Sequence, residues 1–275
     1  MLAHSVLTAP SATPSAYMLF LHGILGTRAN WRGIARQLVR RRPEWGAILV
    51  DLPEHGESPS MPSPHTVRAV ASAVQQLERS VGLPIGGALG HSFGGKVVLE
   101  WLRGRRGRPT EAWTVDSSPS PIETAQDATS TASVIRLLET LPRKWGSRDA
   151  FVQAVVDGGQ PEPIAQWLAM SLQRTEDDER EFGPDLEVIR LLIEDYARTD
   201  CWDVVEALPE HCTLDVVVGG RSEAVSAADR RRLAATAARD PHLSVHVVEQ
   251  AGHWVHVDAP DALIRLLTSG PSPQP

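Results

Sequence analysis

The sequence predicts an α/β fold in which a mostly parallel central sheet carries helices on both faces. Three observations lead to this prediction. Apolar runs of strand length recur, stripes of apolar residues at helical spacing lie between them, and several runs end at a glycine, a histidine or an aspartate. Short apolar runs that alternate with helical segments are typical of buried parallel strands. Such alternation places helices against both faces of the sheet.

The strands and helices are predicted from these patterns in chain order. Six runs are predicted to be strands: 17–21, 47–50, 85–89, 112–115, 214–218 and 243–248. Helices are predicted where apolar residues recur every three or four positions. Two stripes have this spacing: Trp31, Ile34, Ala35 and Leu38, and then Val67, Val70, Ala71, Val74 and Leu77. A further helix, 96–102, is predicted directly after the third strand.

The interval 117–212 departs from the alternation, because no convincing strand is predicted in it. Its apolar residues instead recur at helical spacing, as Ile164, Trp167, Leu168 and Leu172, and as Leu186, Ile189, Leu192, Ile193 and Tyr196. A helical insertion before the penultimate strand would cover the carboxyl ends of the strands, where open α/β sheets bind ligands. The predicted domains are therefore a core, 1–119 and 202–275, and a helical lid, 120–201. The tail, 270–275, is predicted to be disordered.

The bulk composition argues against several classes of protein. A chain of 275 residues with 42% hydrophobic and 22% charged residues is typical of a globular protein. The net charge of −7 argues against nucleic acid or an anionic membrane as a partner. We find no membrane-spanning apolar run and no secretory signal, so the expected location is the cytoplasm. The sequence does not define the oligomeric state.

No cofactor or metal is expected either. The two cysteines, Cys201 and Cys212, give neither a disulfide framework nor a metal-ligand spacing. The sequence has no phosphate-binding loop and no dinucleotide motif.

Residues 90–94 read Gly-His-Ser-Phe-Gly and follow a predicted strand. A serine nucleophile that projects from a sheet sits on a sharp strand-to-helix turn, and only glycine leaves room on either side of it. Ser92 is therefore the predicted nucleophile. A serine hydroxyl needs a neighbouring base, and His253 follows the last predicted strand in Gly-His-Trp. His256 is the alternative base.

The predicted oxyanion hole consists of the backbone N–H groups of Ile24 and Phe93. Ile24 lies in His-Gly-Ile-Leu-Gly, after the first predicted strand, and Phe93 follows Ser92. Each such donor is worth about 3–4 kcal/mol in the transition state. His22 and His91 are expected to be structural, because each lies beside a motif glycine or serine and neither follows the last strand.

Two carboxylates are candidates for the acid of the triad. Glu223 lies after the penultimate predicted strand, in Gly-Gly-Arg-Ser-Glu. Many hydrolases with a serine nucleophile on a strand-to-helix turn carry the acid at this place. Asp116 ends the strand that follows the nucleophile's helix, and a carboxylate there would be able to orient the His253 ring.

The motif set resembles the small α/β-hydrolase esterases of the bacterial YbfF type and their mitochondrial and plant relatives. The resemblance rests on His22-Gly-Ile-Leu-Gly-Thr with Asn-Trp31, on Asp51-x-x-x-His55-Gly-x-Ser-Pro, on Gly-His-Ser92-Phe-Gly-Gly-Lys, and on Val-Asp116-Ser-Ser-Pro. It implies an α/β-hydrolase fold, a serine esterase and Asp116 as the acid. Asp51 and His55 are expected to hold the loop beneath the site.

The expected activity is hydrolysis of a small-molecule carboxylic ester or thioester through an acyl-enzyme. Two alternatives stay open: a carbon–carbon bond hydrolase or cofactor-free perhydrolase on this fold, and a ligand-binding protein without catalysis. The expected acyl pocket is apolar, with lining residues Leu25, Trp145, Trp167 and Trp254.

Overall fold

The computed structural model describes residues 1–105, 107–122 and 129–269, and the predicted disordered tail, 270–275, lies outside them. The strands are β1 (His4–Leu7), β2 (Ala16–Leu21), β3 (Trp45–Val50), β4 (Ile85–His91), β5 (Thr110–Val115), β6 (Lys144–Trp145), β7 (Leu172–Arg174), β8 (Arg180–Phe182), β9 (Cys212–Gly219) and β10 (Leu243–Val248). The α-helices are α1 (Arg32–Arg41), α2 (Val67–Val81), α3 (Phe93–Leu102), α4 (Thr129–Thr140), α5 (Arg148–Asp157), α6 (Glu162–Leu168), α7 (Leu186–Arg198), α8 (Trp202–Glu206), α9 (Ala227–Ala237), α10 (Val255–Asp258) and α11 (Pro260–Ser269).

Within these residues the central sheet has seven strands in the order β1-β3-β2-β4-β5-β9-β10. β1 pairs antiparallel to β3, and every other pairing in the sheet is parallel. His91 pairs with Val115, and Val115 pairs with Val217. The residues that follow β4, β5 and β9 therefore lie side by side at the carboxyl ends of these strands, which we call the carboxyl edge of the sheet.

Helices cover both faces of this sheet, as the alternation of the sequence predicts. Leu19 and Leu21 of β2 belong to a core cluster with α2 and α3, whereas Met18 and Phe20 belong to a second cluster with α1 and α11. Neighbouring side chains of a strand point to opposite faces. A strand buried on both faces is apolar at every position, and this explains why β2 and β3 read as continuous apolar runs.

All six predicted strands are present, but β1 is an addition. It has four residues, none of them buried, so it carries no apolar run that would reveal it. β1 lies at the edge of the sheet, and its pairing with β3 spans His4–Val50 to Leu7–Ala47. The backbone of Ala3 extends this contact, because the Asp51 amide donates to the Ala3 carbonyl at 2.9 Å.

The insertion, residues 120–201, contains α4 to α7 together with a small antiparallel sheet in the order β6-β8-β7. The prediction of an interval without strands was therefore wrong. These strands have two or three residues each, too few to show an alternating pattern. Leu172, predicted on a helical face with Trp167, is the first residue of β7 because α6 ends at Leu168.

The insertion packs against loops at the carboxyl edge of the central sheet. Ser171 Oγ donates to the Leu25 carbonyl at 2.9 Å, after β2, and Gln173 Nε2 donates to the Gly56 carbonyl at 2.5 Å, after β3. Across the described chain, no helix is both long and apolar enough to cross a membrane.

Candidate active site

Ser92 lies on a sharp turn between β4 and α3, with φ 52° and ψ −117°. An L-residue rarely adopts a positive φ, and such strain is concentrated at functional sites. The flanking glycines make the turn possible. A Cβ on Gly94 would lie 2.6 Å from the carbonyl oxygens of Leu21 and His22, and a Cβ on Gly90 would overlap the Gly94 backbone. The Gly-x-Ser-x-Gly spacing therefore has a steric cause in this fold.

Asp116 and His253 meet beside this turn. Asp116 follows β5 and is fully buried, and its Oδ2 lies 2.7 Å from His253 Nδ1. The His253 side chain is 39% exposed. Because the carboxylate accepts a hydrogen bond from an N–H group at Nδ1, the favoured tautomer carries its proton there and leaves the Nε2 lone pair free to act as a base.

Two further donors hold the Asp116 carboxylate. The Gly219 amide donates to Oδ1 at 2.9 Å, and Ser222 Oγ donates to Oδ2 at 2.5 Å. Both residues belong to β9 or the loop that follows it. We did not predict Ser222 from the sequence. The sequence offered one signal for it: Ser222 is a small hydroxyl residue after the penultimate predicted strand, and Asp116 is a carboxylate at the end of another strand.

Glu223 does not join this group of contacts. Its side chain is exposed, whereas the neighbouring Ser222 is buried and contacts Asp116. The loop after β9 therefore contributes a hydroxyl to the His253–Asp116 pair. The Glu223 carboxylate of the same loop points to solvent.

The amides of Ile24 and Phe93 lie in the loop after β2 and at the first position of α3. Among the described residues, no acceptor is bonded to either amide. The first amides of a helix lack an acceptor within the helix and carry partial positive charge. Leu25 next to Ile24 has φ 61°, and its amide donates to His55 Nε2 at 3.0 Å.

His22 and His55 brace the loops beneath the site, as predicted. His22 Nδ1 bonds to the Gly23 carbonyl at 2.8 Å, and its Nε2 accepts the Leu52 amide at 3.0 Å. His55 Nδ1 bonds to the Pro53 carbonyl at 2.8 Å. Burial lowers the pKa of His22 to about 4 and that of His55 to about 3. Both rings are therefore neutral at pH 7, which their acceptor roles require.

Asp51 holds the same region, as predicted. Its carboxylate accepts the Arg28 amide at 2.6 Å and the Glu57 amide at 2.9 Å, and it pairs with the Arg28 guanidinium. These contacts connect the loop after β2 with the loop after β3.

His91 and His256 pack around His253, the predicted base. His91 Nε2 lies 2.9 Å from the His253 carbonyl, and its ring centroid is 4.6 Å from that of His253 and 4.8 Å from that of His256. Burial places the pKa of His91 well below its ordinary value and lowers that of His256 to about 4. The His256 ring lies tilted against the Trp31 ring, with their centroids 4.7 Å apart, and the carboxylate contact of Asp116 is made by His253.

Residues 18–266 match the alpha/beta hydrolase family. The chain belongs to this family.

Relatives that match this hydrolase over most of its length include an esterase and a lipase. Esterase YbfF of Escherichia coli (strain K12) is 26% identical over 265 residues, which cover 94% of each chain. The sn-1-specific diacylglycerol lipase ABHD11 of Mus musculus is 25% identical over 291 residues, which cover 98% of this chain and 84% of that protein. The resemblance to YbfF-type esterases is thereby confirmed, and the protein is a hydrolytic enzyme of the esterase and lipase type.

Solved structures show the same fold. A marine microorganism esterase superposes with a TM-score of 0.83 at 18% identity, covering 98% of both chains. E-2-(acetamidomethylene)succinate hydrolase superposes with a TM-score of 0.72 at 20% identity and the same coverage. The predicted α/β-hydrolase fold is confirmed.

The four predicted pocket residues of the hydrolase fall into two groups. Trp167 of α6 and Trp254 beside His253 lie with ring centroids 6.0 Å apart, and Leu25 is buried in the loop after β2. Trp145 of β6 packs instead edge-on against Phe151 of α5 at 5.4 Å, within the insertion. Trp167 and Trp254 thus lie together beside His253, whereas Trp145 packs against another part of the insertion.

Proposed function

We propose that this hydrolase cleaves small-molecule carboxylic esters, or thioesters, through an acyl-enzyme on Ser92. The observation that carries the proposal is the 2.7 Å contact between His253 Nδ1 and Asp116 Oδ2, at the strand edge from which Ser92 also emerges. A nucleophile, a base and an oriented carboxylate are the parts that serine-based acyl transfer needs. The esterase and lipase names of the relatives agree with this chemistry.

Acylation begins when Ser92 Oγ attacks the ester carbonyl carbon and its proton passes to His253 Nε2. The carbonyl oxygen becomes an oxyanion, which accepts hydrogen bonds from the amides of Ile24 and Phe93. The bond to the alcohol oxygen, or to the thiol sulfur, then breaks, and His253 returns the proton to the leaving group. The acyl group remains on Ser92 as an ester.

Deacylation repeats these steps with water as the nucleophile. His253 Nε2 takes a proton from water, whose oxygen attacks the acyl carbon and restores the oxyanion. Ser92 Oγ then leaves and receives that proton from His253. The buried charge of Asp116 stabilises the imidazolium in both halves, and Gly219 and Ser222 keep the carboxylate in place.

We also propose that residues 120–201 act as a lid on a core of residues 1–119 and 202–275. The contacts of Ser171 with Leu25 and of Gln173 with Gly56 support this role, because they join the insertion to loops at the proposed site. In this proposal Leu25, Trp167 and Trp254 line the acyl side of the cleft, and Trp145 shapes the lid behind them.

Labelling with a fluorophosphonate tests the nucleophile, because this reagent phosphonylates activated serines. We expect the wild type to be labelled at Ser92 and to release a burst of p-nitrophenol from p-nitrophenyl esters. Ser92→Ala should lose both properties and keep its fold by circular dichroism. Ser72→Ala, which changes an exposed hydroxyl on α2, is the control. Labelling that persists at another serine in Ser92→Ala would refute the assignment.

A further inference from the structure

Lys96 is a fully buried lysine on α3, four residues after Ser92. Its Nζ donates three hydrogen bonds, all to backbone carbonyls: Ser120 at 2.8 Å, Tyr196 at 2.7 Å and Thr199 at 2.8 Å. Ser120 is the first residue of the insertion, and Tyr196 and Thr199 lie at its end. One ammonium therefore holds both ends of the insertion on the helix that follows Ser92.

This ammonium has no carboxylate partner within ion-pair distance among the described residues. Burial lowers the pKa of Lys96 to about 8, and the charges of Asp195, Asp200 and Asp229 oppose that effect from a distance, as does Cys201. A buried charge is tolerated only when its hydrogen-bonding capacity is satisfied. The three carbonyls accept the three N–H bonds of the ammonium, so their positions are tightly coupled to the position of Nζ.

The Tyr196 ring lies on the same ammonium and reaches the proposed nucleophile. Its centroid is 4.4 Å from Lys96 Nζ and 5.9 Å from the Phe93 ring. Burial raises the pKa of Tyr196 to about 12, and interactions of its hydroxyl with the Ser117 and Ser92 side chains oppose this effect. Ser117 Oγ is buried, and among the described residues it makes no hydrogen bond of good geometry. A phenol proton that faces two hydroxyls has a choice of two acceptors.

We infer that Tyr196, held by Lys96, donates a hydrogen bond to Ser92 Oγ when this oxygen leaves the acyl group during deacylation. This inference rests on the proposed acyl-enzyme. The oxygen of an ester is a weak acceptor, so in the acyl-enzyme the phenol turns to Ser117. Negative charge develops on Oγ as its bond to the acyl carbon breaks, and the phenol then turns to Oγ.

An interaction that is stronger in the transition state than in the ground state accelerates the step. Tyr196 keeps its own proton throughout, and the proton that Oγ receives comes from the His253 imidazolium. Atoms and charges therefore balance without any further reactant. Lys96 acts as a positioning residue, through the carbonyl and the ring of Tyr196.

Tyr196→Phe tests the inference, because it removes only the hydroxyl. The chain has two tyrosines, so Tyr17→Phe on β2 is a matched control. Burst kinetics with a p-nitrophenyl ester give the acylation and deacylation rate constants separately. In Tyr196→Phe we expect deacylation to slow by about three- to tenfold, the effect of one hydrogen bond. kcat and KM should fall together, and kcat/KM, which reports acylation, should stay at the wild-type value.

Unchanged deacylation in Tyr196→Phe would overturn the inference. So would a fall of kcat/KM by the same factor as kcat, because that result indicates a merely structural role. A wild type that shows neither a burst nor fluorophosphonate labelling at Ser92 would instead refute the proposed function, so the two failures are distinguishable.

A spectroscopic measurement tests whether Lys96 positions Tyr196. Tyr17→Phe protein labelled with 3-fluorotyrosine has a single fluorine signal, from Tyr196. We expect this signal to shift when Ser92 is phosphonylated, and to shift without the reagent when Lys96→Met is added. Lys96→Met and Tyr196→Phe should also slow deacylation non-additively, since both act through one hydroxyl. Fully additive effects, or a signal that ignores phosphonylation, would contradict the pairing.

Discussion

Replacing Asp116 by asparagine should remove most of the activity, for a reason that its contacts specify. The Gly219 amide donates to Oδ1 and will keep an oxygen at that position in the variant. The asparagine NH2 group must then occupy the Oδ2 position, where it faces His253 Nδ1 at about the present 2.7 Å. Two N–H groups cannot bond to each other, so Nδ1 gives up its proton and Nε2 carries it. In this tautomer His253 cannot accept the proton of Ser92.

The size of the effect follows from this wrong tautomer and from the lost charge. A comparable substitution in a serine protease lowers kcat by about 10⁴-fold, which is about 5.5 kcal/mol of activation free energy. We expect a loss of this order in kcat for a p-nitrophenyl ester, with little change in KM. The control is Glu223→Gln, which alters an exposed side chain. If Glu223→Gln lost its activity and Asp116→Asn kept it, the proposed acid would be wrong.

Two further predictions follow from contacts around the site. Ser222→Ala removes one donor from the Asp116 carboxylate and should lower kcat by about tenfold, whereas Ser72→Ala should not; equal kcat values for the two variants would contradict a role of Ser222. His22 and His55 bind a proton below about pH 6.5 when unfolded but remain neutral in the fold down to about pH 4 and about pH 3. Unfolding is therefore favoured as pH falls from 6.5 towards 4, by on the order of 3 kcal/mol per histidine, and a urea midpoint that does not change over this range would refute the argument.

The sheet was predictable because a strand that is buried on both faces has apolar residues at successive positions, which the sequence shows directly. β2 and β3 are buried at all six positions, and each reads as an apolar run. β1 and the strands of the insertion leave no such record, since they depend on pairing with distant segments. Leu172 shows the same limit: its spacing fits the helix before it, but the chain has already turned into β7.

The geometry of the candidate site was predictable to the extent that local sequence encodes strand ends. Ser92, Asp116 and His253 each follow a strand, and the Gly-x-Ser-x-Gly spacing has a steric cause that sequence alone suggests. The choice between Asp116 and Glu223 depended on the family resemblance, because a loop's side-chain direction is not a local property. Ser222 and Tyr196 stayed hidden for the same reason: each reaches the site across a large sequence distance.

The ends of the insertion are held next to each other, and this has a consequence for protein engineering. The carbonyls of Ser120 and Thr199 both lie 2.8 Å from one Lys96 Nζ, although 79 positions separate them in the chain. A segment whose two ends are adjacent can be exchanged without moving the parts of the core domain that it connects. Grafting the corresponding segment of another hydrolase of this family between these two carbonyls would join chain ends that already meet. If the insertion acts as the proposed lid, such a graft would transfer one enzyme's substrate selection to another enzyme's chemistry.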